Sequence, residues 1–174
     1  EGVDRVSSIV SDLRTFAHPE SRGREPVNLS QAVAKAARMM SKQVADSKAD
    51  LQLEVPAGAY VLGDTNHIVQ ILINLLQNSV DALEDRPAPE VSVLVSANDE
   101  HTELRIRDNG TGIPADVLHR IFDPFFTTKD VGKGMGLGLS LCYRMMHGMG
   151  GSIAAASQPG EFTEFTLTFA SFRE

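Results

Sequence analysis

A two-layer α+β sandwich, with helices over one face of a mixed, mostly antiparallel sheet, is predicted by three features of the 174-residue chain. Segments of helical period and segments of alternating apolar period interleave along it. The strand-like segments of the second half follow one another as hairpins, without the crossover helices that a doubly wound sheet needs. Hydrophobic residues make up 42% and charged residues 22%, which suits one buried core and rules out a chain disordered throughout.

Val3, Val6, Ile9 or Val10, Leu13 and Phe16 recur at helical spacing and predict an amphipathic helix over residues 3–17, ended by His18-Pro19. The polar stretch from Glu20 to Pro26, with its Gly and Pro, reads as a linker. A helix over residues 29–47 follows, capped by Asn28, then strands at 51–55 and 60–62. A long helix runs from Asp64 or Thr65 to Leu83. Residues 91–97 and 103–107 alternate as strands, with Glu100 and His101 at the turn between them. Residues 109–138 carry too many Gly and Pro for regular structure apart from a short helix over 115–120. A helix over 137–146 and strands at 152–156 and 164–169, turned by Pro159-Gly160, close the chain.

The net charge of −7 disfavours nucleic acid as a partner, since sequence-independent binding rests on neutralising phosphates. A small anion remains open where backbone amides supply the positive potential. No apolar run approaches the roughly 18 residues of a membrane span. The lone Cys142 has no internal disulfide partner, and no Cys/His spacing suits structural zinc, so a reducing cytoplasm is the expected setting.

Three segments carry chemistry. On the long helix, His67, Gln70, Asn74, Gln77, Asn78 and Asp81 fall within about 100° of arc, and apolar residues fill the rest. A solvent face favours Lys, Glu and Arg, whereas each Asn costs on the order of 0.5 kcal/mol of helix propensity. A polar strip roofed by another element is the alternative, in which an amide oxygen ligates a hard cation such as Mg²⁺ and an amide nitrogen donates to phosphate.

Asp108-Asn109-Gly110-Thr111-Gly112 directly follows a strand. Asn-Gly alone suits a plain turn. The acidic residue with glycines two and four positions on adds a carboxylate beside a backbone bare enough for a flat ligand, and the exocyclic amine of a purine suits that acceptor. The third segment, Lys129 to Ser140, alternates Gly132, Gly134, Gly136 and Gly138 before a helix, so that successive amides and a helix N-terminus form a phosphate-sized concavity, with Lys129 and Lys133 adding charge. It has neither the P-loop nor the dinucleotide-fold spacing. Met135, Leu137 and Leu139 between the glycines suit a closing lid. Upstream, Phe122, Phe125 and Phe126 concentrate three of the ten Phe and Tyr residues in one short stretch, as core or as the base of that lid.

Taken in order, NLLQN at 74–78, DNGTGIP at 108–114, FDPFFTTK at 122–129 and GKGMGLGLS at 132–140 resemble the N, G1, F and G2 boxes of the sensor histidine kinase catalytic domain. They stand in the family's order and at its spacing, and the resemblance spans residues 28–170. NSVDAL at 78–83 and the FDPFFTTK form look most like the branch of nitrogen-regulation and dicarboxylate-transport sensors. The resemblance implies a Bergerat-type sandwich, shared with gyrase-type and chaperone-type ATPases, that binds ATP with Mg²⁺.

Carried over by position, it implies Asn78 as the Mg²⁺ ligand, Asn74 as a catalytic polar group on the phosphate side, and Asp81 on the same nucleotide-facing strip. Asp108 would accept from the adenine amine, Gly110 and Gly112 would give the base room beside Ile113, and Thr163 would lie near the adenine. Thr127, Thr128, Lys129, Gly132, Lys133, Gly134, Met135, Gly136, Leu137 and Gly138 would surround the phosphates, with Arg120 reaching the γ-phosphate. Two departures stand out. Phe162 occupies the second glycine of the family's Gly-x-Gly-Thr, and none of His18, His67, His101, His119 and His147 has the acceptor context His-Glu/Asp-x-x-Asn/Thr-Pro.

Residues 1–18 therefore resemble the end of the second helix of a dimerisation and phosphoacceptor hairpin, with a linker at 19–27 and the catalytic domain at 28–174. The implied partners are that hairpin, a response regulator receiver domain and a second copy of the parent, whose attachment to the inner membrane is left open. Two rival classes are weighed. A gyrase-like ATPase has a glutamate one turn before its Mg²⁺ asparagine, where this chain has Asn74. A nucleotide-gated module, such as an anti-sigma-like serine kinase or a pseudokinase, would lack transfer to histidine.

Overall fold

Asn28 begins the helical layer: its side-chain oxygen accepts the Gln31 N–H at 3.1 Å and its backbone is extended. The computed structural model describes residues 23–98, 100–128, 136–170 and 172. The helix expected over 3–17 lies outside them.

Strand β1 (Glu25–Asn28) leads into α1 (Leu29–Met39), which buries Leu29, Ala32, Val33 and Ala36. The single helix expected over 29–47 is in fact two: at Met40, ψ is near 0°, and α2 (Ser41–Ser47) continues with no buried residue. Met40 is itself buried, and beyond it only the half-buried Val44 of α2 still packs against the core. Lys48, at φ 57°, closes α2 in the left-handed region.

Strands β2 (Asp50–Glu54) and β3 (Tyr60–Gly63) precede the long helix α3 (Thr65–Ala82). Asp64 caps α3 by accepting the N–H groups of Asn66 at 2.8 Å and His67 at 3.0 Å. Strands β4 (Glu90–Ala97) and β5 (His101–Asp108) form a hairpin. A 3₁₀ turn covers only Leu118–Arg120 of the helix expected over 115–120. Helix α4 (Gly138–Gly148) and strands β6 (Ser152–Gln158) and β7 (Phe162–Ala170) follow.

The main sheet has the order β2-β4-β5-β7-β6, with β2 parallel to β4 and every other pair antiparallel. Its inner face, with Val91, Val93, Val95, Leu104, Ile106, Phe165, Leu167 and Phe169, packs on the apolar arcs of α3 and α4, where Ile68, Ile71, Leu72, Leu75, Leu141 and Met146 are buried. The outer face is polar and carries the Arg107–Glu164 pair at 3.5 Å. The expected sandwich is thus the observed one. A separate two-stranded sheet pairs β1 with β3, Val27 opposite Val61, so the last residues of the stretch read as a linker are a strand. One apolar residue beside Pro26 is too short a signal for a strand whose partner lies more than 30 positions away. Among the described residues, no helix is long and apolar enough to cross a membrane.

Replacing Asp64 with Ala removes both capping bonds and is expected to lower stability by about 1 kcal/mol, whereas Asp64→Asn keeps the acceptor and most of the stability. Urea denaturation of the three proteins checks this, and equal midpoints for Asp64→Ala and wild type would contradict it.

Candidate functional site

Helix α3 presents its polar arc toward the start of α4 and its last turns toward the turn after β5. Asn74 is half-buried between the two helices: its amide nitrogen donates to Gly138 O at 3.4 Å and to Cys142 Sγ at 3.7 Å, and its oxygen accepts from Gln70 Nε2 at 3.2 Å. It therefore works within the α3–α4 contact in the ligand-free chain. Cys142 is fully buried, and burial pushes its thiol up to about 12, which keeps it neutral. Asn78 lies one turn on and is half-buried, whereas Asp81 is exposed and accepts from Gln77 Nε2 at 2.7 Å.

Asp108 ends β5 with only 2% of its surface exposed. Its Oδ1 accepts the Gly110 N–H at 2.9 Å. Burial holds the Asp108 carboxyl above the usual carboxylate range, opposed by the Gly110 bond, by the Ser79 hydroxyl and, more weakly, by Arg107 and Arg86. Ser79 Oγ is fully buried beside this carboxyl and, among the described residues, meets no partner closely enough for a well-formed hydrogen bond. The sequence did carry a signal for Ser79, since it lies four residues from both Leu75 and Leu83 on the apolar arc. Ser79 and Asp108 thus form a buried polar pair where α3 meets the end of β5.

Thr163 lies opposite Asp108 on β7 and is buried. Its hydroxyl is 3.1 Å from Ser157 Oγ, which donates to Phe162 O at 2.7 Å and accepts the Ile113 N–H at 2.7 Å. Ser157, absent from the expected set, thus ties Ile113 and Thr163 into one cluster. Phe162, where the family has glycine, is on the opposite face of the sheet from Thr163, with the Arg107 guanidinium 3.8 Å above its ring. It does not obstruct Thr163.

The two glycines of the turn serve the chain's own packing. A Cβ at Gly110 would lie 2.5 Å from Ala82 O, and one at Gly112, where φ is +72°, 2.4 Å from Gln158 O. The turn can therefore approach α3 and the β6–β7 connection only with hydrogen at both positions.

Of the phosphate-side residues, Lys129, Gly132, Lys133, Gly134 and Met135 lie outside the described residues. Thr127 and Thr128 are exposed. Gly136, at φ +69°, accepts the Phe125 N–H at 2.9 Å and sits so close to Phe126 that a Cβ would be 2.4 Å from its carbonyl oxygen. Leu137 is buried, and Gly138 opens α4. Arg120 is at the surface, 3.7 Å from Asp123 and 5.0 Å from the centre of the Phe126 ring. Among the described residues, no three His, Cys, Asp or Glu side chains gather as a metal site. An open depression of about 480 Å³ lined by Ser47, Lys48, Asp50 and residues 86–90 contains none of the motif residues.

The raised pKa of Asp108 has a sign that can be tested. Because the folded state binds the proton more tightly than the unfolded chain, stability falls as pH rises from about 3.8 through the folded value. In the ligand-free protein, Asp108→Asn, which has no charge to desolvate, is therefore expected to gain on wild type between pH 4 and pH 8. Urea denaturation at both values measures the gain, and a difference independent of pH would contradict it.

Comparison with known proteins fits this geometry. Residues 63–172 match the family described as histidine kinase-, DNA gyrase B-, and HSP90-like ATPase. The chain is 35% identical to the C4-dicarboxylate transport sensor protein DctB of Pseudomonas aeruginosa, over 86% of this chain and 25% of that protein. It is 31% identical to the sensory histidine kinase/phosphatase NtrB of Rhizobium leguminosarum bv. phaseoli, over 97% and 47%. The nucleotide-free catalytic domain of the histidine kinase ThkA superposes with a TM-score of 0.74 at 25% identity, over 84% of this chain and 97% of that one. Full-length ShkA in complex with AMPPNP gives 0.82 at 26% identity, over 98% of this chain and 37% of that one. The chain spans about a quarter to a half of these two curated relatives. With residues 63–172 matching its model, the chain belongs to the histidine kinase-, DNA gyrase B-, and HSP90-like ATPase family, and the relatives and solved structures it resembles are sensor histidine kinases and their catalytic domains.

Proposed function

We propose that this chain binds MgATP between α3, the turn after β5 and the segment before α4, and presents the γ-phosphoryl to a histidine on the helical hairpin of its parent. The observation that carries this is the buried Asp108 carboxyl beside the buried Ser79 hydroxyl, a pair suited to the donor and acceptor edge of adenine. Bound ATP with Mg²⁺ supplies the transferable phosphoryl group and neutralises its charge. The chain's own residues bind and orient: Asp108 accepts from the base, Asn78 offers one amide oxygen to the cation, and the α4 N-terminus with Gly136 and Gly138 offers amides to phosphate. No covalent step of the protein's own is needed for transfer to an in-line acceptor.

Asn74 occupies the place where a gyrase-like enzyme has its water-activating glutamate. An amide is no base, and both its ends are engaged by Gln70, Gly138 and Cys142, which favours transfer over hydrolysis. On this proposal the remaining partners are a response regulator receiver domain and a second copy of the parent, in the cytoplasm.

Titration calorimetry with ATP and GTP, with and without Mg²⁺, tests the site. Asp108→Asn is expected to reduce the preference for ATP by about tenfold or more, and Asn78→Ala to abolish the Mg²⁺-dependent part of binding. Wild-type behaviour of both variants would reject the assignment. Incubated with labelled ATP, the domain should label a histidine-bearing hairpin of its parent and release phosphate only slowly alone. Rapid release without a hairpin would favour the hydrolase, and an unlabelled hairpin a binding module.

A further inference from the structure

We infer that Arg86, outside all four boxes, is a positioning residue for the base end of the nucleotide site, because its guanidinium clasps the turn that carries Asp108 to the β6–β7 connection. Its Nε donates to Asn109 O at 2.6 Å and its Nη2 to Gly160 O at 2.9 Å, two carbonyls from segments about 50 residues apart. The same two segments meet again where Gly160 N–H bonds Thr111 O at 2.7 Å. Arg86 is in turn held from α3, its N–H bonding Leu83 O at 3.0 Å.

The Asn109 side chain completes the clasp from the other direction, with Nδ2 donating to Ala88 O at 2.7 Å and Oδ1 accepting the Glu90 N–H at 2.9 Å. Loop 84–89, the turn at 109–112 and the turn at 159–160 are thereby bound as one unit. Asp108 is the residue immediately before this unit, and its Oδ1 is held by an amide within it. The close approaches of Gly110 to Ala82 and of Gly112 to Gln158 leave the turn no slack on its inner side. Its outer side is closed by Arg86. Only a planar fork reaches two carbonyls with two fixed donors, so lysine, a single point charge, does not replace it.

This inference rests on the proposed nucleotide site, but half of its test needs no nucleotide. Arg86→Lys and Arg86→Ala are compared with wild type by hydrogen exchange in the ligand-free protein and by calorimetry with ATP, ADP and GTP. In both variants the Thr111 and Gly160 amides are expected to exchange faster while the core of β5 and β7 stays protected. ATP and ADP affinities should fall together by about tenfold, the worth of one charge-assisted hydrogen bond, with the ATP:ADP ratio unchanged and the ATP-over-GTP preference reduced. Wild-type exchange at both amides, recovery of wild-type values by Arg86→Lys, or an unchanged ATP-over-GTP preference would each overturn the clasp. Should Arg86→Ala fail to fold, Arg86→Lys decides alone. If wild type itself binds no ATP, the proposed function fails, while the exchange arm still decides whether Arg86 holds the turn.

Discussion

Everything at the site depends on how closely the turn after β5 approaches the last turn of α3. The Ala82 carbonyl accepts the Thr111 N–H at 3.0 Å and occupies the space that a Cβ at Gly110 would need. This contact joins the helical layer to the sheet at one end of the sandwich and brings Ser79 of α3 against Asp108 of β5. A larger residue at 110 would lift the turn from the helix and separate the acid from the hydroxyl. The glycines of this motif are therefore explained by protein packing before any ligand is considered.

The burial that this contact imposes is costly for a carboxyl group. Asp108 is held above the usual carboxylate range by desolvation, and the Gly110 amide and the Ser79 hydroxyl offset it only in part. A domain selected for stability alone would place a neutral side chain there. Perturbed buried acids gather where recognition needs them, and here the acid stands beside the buried Ser79 hydroxyl. Helix α3 carries a second compromise. Most of its circumference makes the core, and the narrow arc that remains includes Asn74 and Asn78, and Asn is a weaker helix former than the Lys or Glu of a solvent face.

At the other end of the polar arc, Asn74 links α3 to the first residue of α4, and the Phe125 N–H to Gly136 O bond joins the two sides of the segment 129–135. Phe122 lies 5.9 Å from the Tyr143 ring, which stacks on His147 at 4.0 Å, so the aromatic stretch before that segment rests on α4 as well. Both flanks of the segment are thus referred to one short helix, itself fastened to α3.

Much of this was legible in the chain. Periodicity located α3, α4 and the five strands of the main sheet to within a few residues, because burial on one face leaves a repeat of 3.6 or 2 in the sequence. The four boxes marked Asn78, Asp108 and the glycines as candidates, because few other residue types suit the proposed cation ligand, the proposed base acceptor or a close backbone approach. What the chain could not disclose by itself were relations between distant segments. Strand β1 forms because β3 is there to receive it, helix α1 gives way at Met40 to a second helix that buries no residue fully, and Asn74 turns inward because Gly138 and Cys142 face it. Ser157 and Arg86 bond chiefly to backbone carbonyls and amides, groups that every residue carries and that no local pattern distinguishes. Side-chain chemistry and local period were therefore determined by sequence alone, whereas the choice of backbone partner belongs to the tertiary structure, where chain segments far apart in sequence come within 3 Å of one another.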